Sequence, residues 1–117
     1  MNQLELLGTI NRESSLTEVQ EYVAKVLEAR GFADEPITDS MLMFLEEAGE
    51  LAKAVRKSAT TMSVDVDRLE NYDTVDSEVA DVFIVLLAIC NQFGINLFDA
   101  LKAKETKNCG RNWSFER

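Results

Sequence analysis

The sequence predicts an all-α protein, a four-helix bundle-like single domain spanning residues 1–117. Three observations support this prediction. Only one proline and five glycines interrupt the 117 residues, strand-like alternation of β-branched residues is scarce, and apolar residues recur at helical spacing. A hydrophobic fraction of 46% with 28% charged residues is ordinary globular composition. The length fits one compact domain.

The first predicted helix covers residues 15–30. Ser15 and Glu18 have the spacing of a capping box, and Gly31 stands where a C-terminal helix glycine belongs. The apolar residues of this segment share one face: Val19, Tyr22, Val23, Val26 and Leu27. Residues 32–38, which include Pro36, are expected to form a short turn.

The second predicted helix covers about residues 39–57, with Thr38 or Asp39 as its cap. Its apolar residues cluster on one side of a 3.6-residue wheel: Met41, Phe44, Leu45, Ala48, Leu51, Ala52 and Val55. Residues 58–73 are polar and aperiodic, which predicts a connection with a helical turn near residues 66–69. A connection of that length is often functional or mobile.

The third predicted helix covers residues 74–94 and is apolar nearly all round, so it should be the central and most buried helix. Cys90 lies in its apolar run and is expected only to pack. The fourth predicted helix begins at Asn96, paired with Asp99 as a cap, and ends at about residue 107. Residues 108–117 form a tail.

Composition excludes several kinds of chemistry. The chain has no histidine, which rules out Ser-His-Asp triads, Cys2His2 zinc sites and HExxH proteases. A net charge of -9 argues against duplex nucleic acid or an anionic membrane as partner. No secretory signal and no apolar run of about 20 residues are visible. We therefore expect a reduced, cytoplasmic protein that works with carboxylates, lysines, arginines and amides.

Two pairs of carboxylates stand out. Residues three apart in a helix share a face, so Glu47 with Glu50, and Glu78 with Asp81, can converge if the second and third helices pack together. Clustered carboxylates without histidine or cysteine suit Mg²⁺, or Mn²⁺, which typically meets a substrate phosphate. Gly49, costly inside a helix, is expected to allow the close approach of the other helix.

A solvated acidic surface is the alternative. Glu46, Glu47 and Glu50 would lie opposite or beside the apolar face of their helix, and Lys53 and Lys57 could simply pair with Glu46 and Glu50. Glu78 and Asp81 fit this alternative less well, because they project from an otherwise apolar surface. The helix dipole accounts for Glu78 but poorly for Asp81, one turn further on. Metal ligation is the better interpretation of these two.

The ordered motifs resemble the MazG-like nucleotide pyrophosphohydrolases. E-E-A-G-E at residues 46–50 and E-V-A-D at residues 78–81 match that family's EExxE…ExxD signature. K-E-T-K-N-C-G-R-N-W at residues 104–113 is similar to its K…KN..R.W segment. The resemblance covers about residues 38–113. It implies an all-α fold that forms homodimers or homotetramers through helix packing, and Mg²⁺-dependent cleavage of a nucleoside triphosphate into monophosphate and pyrophosphate.

The resemblance also implies roles for single residues. The metal ligands would be Glu47, Glu50, Glu78 and Asp81, while Glu46 would be a base, an outer group or an occasional ligand. The phosphate-binding candidates are Lys104, Lys107, Asn108 and Arg111, with Lys53 and Lys57 weaker. Asn91 and Trp113 could contact the base, or could be structural, as a helix-end residue and a tail anchor. A phosphoribosyl-ATP pyrophosphohydrolase-like role, and a non-catalytic helical oligomerisation or interaction module, remain the alternatives.

Overall fold

The computed structural model describes residues 1–114 and contains five α-helices and one 3₁₀ helix in that range. The α-helices are α1 (Gln3–Leu7), α2 (Leu16–Ala29), α3 (Ile37–Ala59), α4 (Val75–Gln92) and α5 (Leu97–Cys109). The 3₁₀ helix, Val66–Asn71, lies between α3 and α4, where a helical turn was predicted near residues 66–69. No strand occurs among the described residues, which confirms the all-α prediction. The last three tail residues, 115–117, lie outside them.

The N-terminal part of the chain confirms one prediction and adds a helix. The Ser15 hydroxyl accepts a hydrogen bond from the Glu18 amide at 3.1 Å, and the Ser15 amide donates to the Glu18 carboxylate at 3.2 Å. These two bonds are the predicted capping box. The five-residue helix α1 was not predicted. It is capped by the Asn2 side chain and packs on α2 with Leu6 buried.

The boundaries of α3 differ from the prediction. The helix begins at Ile37, so a cap at Thr38 or Asp39 was wrong, and it ends at Ala59. Pro36 occupies the N-cap in an extended conformation (φ −61°, ψ 145°) without a side-chain cap bond. Proline can stand at a helix start because its fixed φ and missing amide hydrogen cost nothing there. The helix thus begins at the first residue after Pro36.

Helix α4 is the central element, as predicted, because it packs against both α3 and α2. Leu87 of α4 is fully buried, and Val23 and Val26 of α2 are 1% exposed. The prediction that Cys90 packs is confirmed by its burial, which also raises the pKa of its thiol. Gly94, at φ +65°, turns the chain after α4 in a conformation that favours glycine.

Helix α5 leaves the packed group at an angle. The Asn96 side chain accepts a hydrogen bond from the Asp99 amide at 3.0 Å, which confirms the predicted cap. The helix axis turns by 96° from that of α4, and the main contact of α5 is with α2. The four long helices are therefore packed together without closing into a single parallel-sided bundle.

The inner face of α3 is rotated from the predicted one. Ser40 and Ala54 are buried and Glu47 is half-buried, so the stripe against α4 passes through these residues. Four residues of the predicted apolar face are instead exposed: Met41 at 44%, Leu45 at 62%, Ala52, and Val55 at 39%. The rotation brings a carboxylate to the α3–α4 interface and leaves an apolar stripe uncovered.

Within residues 1–114, no single helix is long and apolar enough to cross a bilayer. Helices α4 and α5 reach that length and composition only when counted together across their bend.

Candidate active site

Three carboxylates meet at the interface between α3 and α4. Oxygen atoms of Glu47, Glu78 and Asp81 all lie within 4.8 Å of one another. Glu47 comes from the middle of α3, while Glu78 and Asp81 stand one turn apart in the first half of α4. The spacing of the two motifs predicted that Glu47, Glu50, Glu78 and Asp81 could converge, and three of these four do. Repulsion between their charges adds to the effect of burial at this site.

Loss of solvent and mutual repulsion raise the pKa of two of these groups. For Glu47, burial has the largest effect, followed by the charges of Asp81, Glu78 and Glu50. Glu78 is 5% exposed, and its pKa is raised by burial first and then by Asp73 and Asp81. A carboxylate so placed is stabilised by a cation between the ligands.

The donor set fits a hard divalent cation. All the converging atoms are carboxylate oxygens, which Mg²⁺, Mn²⁺ and Ca²⁺ accept, and the cluster offers neither imidazole nor thiolate. Glu78 is too buried to belong to a solvated acidic face. The charge of Lys53 lowers the pKa of Glu78, yet burial and the neighbouring acids keep that pKa raised, so the position of Glu78 favours the metal-binding interpretation.

The other two predicted acids of α3 lie at the edge of the cluster. Glu50 stands 4.0 Å from the ammonium of Lys53 and is half exposed, so the ion pair considered from the sequence does form. Its charge nevertheless raises the pKa of both Glu47 and Glu78. Glu46 is exposed, and its charge acts on Glu47 more weakly.

The packing role expected for Gly49 was wrong. Apart from its chain neighbours and the backbone of its own helix, no atom of the described chain lies within 4 Å of the place where a Cβ would stand at this position, and the residue is exposed. The rotation of α3 explains this result, because the stripe that faces α4 runs through Glu47 and Leu51 rather than through Gly49.

A group of cations on α3 holds the connection between α3 and α4. Arg56 donates a hydrogen bond of 2.8 Å to the Tyr72 hydroxyl. The ammonium of Lys53 lies 4.6 Å from the centre of the Tyr72 ring, and that of Lys57 lies 5.8 Å from it. Lys53 therefore touches both Glu50 and Tyr72. Along α3, these cations stand about two to three helical turns beyond Glu47.

The predicted phosphate-binding residues of the C-terminal segment lie elsewhere. Lys104, Lys107 and Arg111 are exposed on or just after α5, whose main contact is α2. Asn108 is half-buried. The charges that act most on Glu47 and Glu78 come from α3, α4 and Asp73. The structure of one chain thus does not bring the α5 cations to the carboxylates.

Both candidate base-contacting residues have structural partners. The indole N–H of Trp113 donates to the Asn108 carbonyl at 2.8 Å, although the side chain is 72% exposed. The side-chain oxygen of Asn91 accepts a hydrogen bond from Gln20 Nε2 at 3.0 Å, and Asn91 Nδ2 donates one to the backbone carbonyl of Gln20 at 3.1 Å. Each residue therefore makes a structural hydrogen bond, which was one of the two roles left open by the sequence. Each also keeps some exposed surface that a ligand could contact.

A cavity of about 390 Å³ opens beside the carboxylates, between α2, α3 and α4. Glu47 and Asp81 form part of its wall, so it is continuous with the candidate metal site. Most of the remaining wall is apolar, with Leu27, Met43 and Ile84 among the lining residues. Clefts of this volume and character are typical small-molecule sites.

Sequence reasoning missed three residues around the site. Ser40 lies buried in the cavity wall, Tyr72 joins the cations of α3, and Gln20 fixes Asn91. Tyr72 carried a weak signal, as the single aromatic residue in a polar connection. Ser40 and Gln20 carried none, because their importance depends on the rotation of α3 and on the turn after α4.

The fold and the site together define a class: an all-α protein with a cluster of carboxylates between two packed helices, beside a cleft, that could hold a metal ion. A family model, the MazG nucleotide pyrophosphohydrolase domain, matches residues 36–113, about two thirds of the chain. The chain belongs to this family, as the sequence motifs indicated. No curated protein and no solved structure matches it.

Proposed function

We propose that the protein is a Mg²⁺-dependent pyrophosphohydrolase that cleaves nucleoside triphosphates, ribo- or deoxyribonucleotides, between the α and β phosphates. The observation that carries this proposal is the convergence of Glu47, Glu78 and Asp81 beside a cavity of about 390 Å³ whose wall includes Glu47 and Asp81. Membership of the family supports the reaction class. Removal of unwanted nucleotides from the cytoplasmic pool is the role that such a reaction would serve.

The metal would be held by the three clustered carboxylates, with Glu50 as a fourth ligand. The effect of Glu50 on the pKa of two cluster members supports this assignment. When bound, Mg²⁺ or Mn²⁺ supplies neutralisation of phosphate charge and activation of a water nucleophile. Glu46 is exposed at the edge of the cluster, where its carboxylate can accept a proton from that water or hold it in place.

The substrate phosphates would be held by cations at the two ends of the site. Lys53 lies nearest the carboxylates, and displacement of its ion pair with Glu50 frees it for a phosphate oxygen. The α5 group consists of Lys104, Lys107, Asn108 and Arg111. Since α5 does not reach the carboxylates of its own chain, we assign this group to a neighbouring site in a homodimer or homotetramer.

Product analysis tests the proposed reaction. The protein is incubated with a panel of NTPs and dNTPs, with and without Mg²⁺, and the products are separated by anion exchange. Mg²⁺-dependent formation of monophosphate and pyrophosphate from any member is the expected result. Orthophosphate with diphosphate would overturn cleavage at the α–β bond. No turnover, with no Mn²⁺ bound at equilibrium, would favour the non-catalytic helical module.

A further inference from the structure

Tyr72, which directly follows the 3₁₀ helix, is the meeting point of three cationic side chains of α3. Arg56 donates a hydrogen bond of 2.8 Å to the Tyr72 hydroxyl. The ammonium groups of Lys53 and Lys57 lie 4.6 Å and 5.8 Å from the centre of the Tyr72 ring, within the range of cation–π contacts. The three cations share one face of α3, because they stand three and four positions apart. One aromatic side chain thus gathers three positive charges.

Little negative charge balances these cations, although the chain carries 21 acidic and 12 basic side chains. Within residues 1–114, the ion pair of this group is that of Lys53 with Glu50, at 4.0 Å. Arg56 is half-buried, and its side-chain partner in the same range is the uncharged Tyr72 hydroxyl. The dipole of α3 favours cations near its end, but it does not require them to converge on one ring. A guanidinium offers five donors in a planar fork that suits phosphate oxygens, so Arg56 is placed to bind an anion.

The cations lie on the opposite side of the carboxylate cluster from the cavity. On α3 the cavity is lined by residues up to Glu47, whereas the cations follow Glu47 along the helix. The helical rise places Lys53 about 4.5 Å and Arg56 about 9 Å beyond Glu50 along the axis. The charge of Lys53 lowers the pKa of Glu78, which shows that this group acts on the cluster. A chain of phosphates that runs from the carboxylates along α3 therefore meets Lys53 first and Arg56 next.

The charge of the cavity lining directs phosphates to the same side. Arg30 is the single basic side chain among the described residues that line the cavity, and four acidic side chains line it too: Glu28, Glu35, Glu47 and Asp81. Phosphate groups are repelled by such a wall. The side of the cluster that suits the phosphates beyond the cleaved bond is thus the side of the Tyr72 cations.

We propose that Tyr72 is a positioning residue, which holds Arg56 and Lys53 as an anion site for the pyrophosphate half of the substrate. The inference rests on the proposed function and names the part of the nucleotide that this end of the site binds. Arg56 takes oxygens of the terminal phosphates in its fork, and the ammonium of Lys53 leaves Glu50 for the same group. The bond to Tyr72 fixes the direction of the Arg56 fork before the substrate arrives, so less side-chain entropy is lost on binding.

Binding of inorganic pyrophosphate tests this site without turnover. Affinity for the full chain in Mg²⁺ is measured by calorimetry for wild type, Arg56→Gln, Tyr72→Phe and the double variant. Tyr72→Phe keeps the ring that contacts the two lysines and removes the hydroxyl that holds Arg56. Two matched controls are Tyr22→Phe, at a half-buried position of α2, and Arg12→Gln, at an exposed position before α2. The affinity for Mn²⁺ is measured on the same proteins.

We expect Arg56→Gln to bind pyrophosphate about tenfold or more weakly than wild type, the effect of a charge-assisted hydrogen bond. Tyr72→Phe should bind it about three- to tenfold more weakly and should keep the wild-type affinity for Mn²⁺. Because Tyr72 acts through Arg56, its replacement should have no further effect in the double variant. Both controls should bind pyrophosphate as wild type does. If Arg56→Gln fails to fold, as judged by circular dichroism, Arg56→Met replaces it with the same expectation.

Pyrophosphate binding that is absent, or equal in all variants, would overturn the inference. Additive losses in the double variant, or a loss of Mn²⁺ affinity in Tyr72→Phe, would overturn the positioning role. These outcomes are distinct from failure of the reaction. Cleavage at the α–β bond with unchanged pyrophosphate binding would overturn the inference alone, whereas binding that depends on Arg56 and Tyr72 without turnover would support the anion site and overturn the proposed function.

Discussion

At the scale of single residues, the candidate site is a set of like charges that the fold holds together. Burial and repulsion raise the pKa of Glu47 and of Glu78, which means that the folded chain without metal resists their ionisation. A cation between the carboxylates relieves the same repulsion. Metal binding and metal-free stability should therefore respond in opposite directions when one of these acids is neutralised.

Glu47→Gln tests that opposition. We expect activity to fall by more than the roughly 10–100-fold that outer-shell residues of metal sites cost, because a ligand is lost. Without metal, the free energy of unfolding should stay equal or rise, since one of the repelling charges is gone. Urea unfolding in EDTA and calorimetric titration with Mn²⁺ measure the two effects. Glu105→Gln, exposed on α5, is the matched control. Lower stability of metal-free Glu47→Gln would contradict the account.

The raised pKa values also predict a pH dependence. A carboxyl whose pKa is raised by folding binds more protons in the folded state, so its contribution to stability is complete below the ordinary value of 4.5. That contribution is lost as pH rises from there through the raised value. The stability of wild type minus that of Glu47→Gln, in EDTA, should therefore fall as the pH rises from about 4.5 through the raised pKa. A difference that stays flat or rises over this window would contradict the cause given for the shift.

At the scale of elements, the attachment of α5 depends on one buried amide. Gln20 of α2 is 7% exposed and bonds to Asn91, to the Ile95 carbonyl and to the Leu97 amide. These three partners lie at the end of α4, in the turn, and at the start of α5. One side chain thus fixes the direction in which α5 leaves the packed helices.

Gln20→Ala should loosen α5. Removing the amide leaves buried polar groups without these bonds, which costs about 1–3 kcal/mol. Urea unfolding should show that loss, and hydrogen exchange should accelerate first in α5. Gln3→Ala, which removes only an exposed bond to Arg30, serves as the control and should change stability by less than about 0.5 kcal/mol. Equal exchange rates in α5 of wild type and Gln20→Ala would contradict this role.

Sequence reasoning succeeded where structure is decided locally. The caps at Ser15 and Asn96 were predictable because a short side chain and its amide partner lie three residues apart. The meeting of Glu47 with Glu78 and Asp81 was predictable because residues three apart share a helix face, whereas Glu50, the fourth predicted member, lies at the edge of the cluster. Helix α1 escaped prediction because five residues give too little periodicity. The rotation of α3 was not predictable, because an apolar stripe predicts that a helix face is buried but not which element covers it. The positions of Ser40 and Gly49 depend on that rotation.

At the scale of the whole molecule, one chain is more open than its length requires. The radius of gyration is 17.5 Å, whereas a compact domain of this length has about 13 Å. Apolar side chains remain exposed on four of the described α-helices: Leu4 and Leu7 on α1, Met41, Leu42 and Leu45 on α3, Val79 and Phe83 on α4, and Phe98 and Leu101 on α5. Such surfaces on a small chain favour association with further copies.

Sedimentation equilibrium at micromolar concentration tests the proposed association. We expect a dimer or tetramer for wild type. Combined Leu42→Gln and Leu45→Gln should weaken it by about tenfold or more, because two exposed apolar side chains leave the interface. Val66→Gln, at a position 71% exposed outside the α-helices, should leave the assembly unchanged. A wild-type monomer throughout this concentration range would contradict the assignment of α5 cations to a neighbouring site.

The central claim is attack by water on the α phosphorus at the carboxylate cluster. Hydrolysis of the best triphosphate in ¹⁸O-labelled water, with Mg²⁺ and mass analysis of both products, tests it most directly. The account predicts one labelled oxygen in the nucleoside monophosphate and none in the pyrophosphate. Label in the pyrophosphate would place the attack on the β phosphorus, and equal turnover by Glu47→Gln would remove the cluster from the reaction. The first result would overturn attack on the α phosphorus, and the second would overturn the role of the carboxylate cluster.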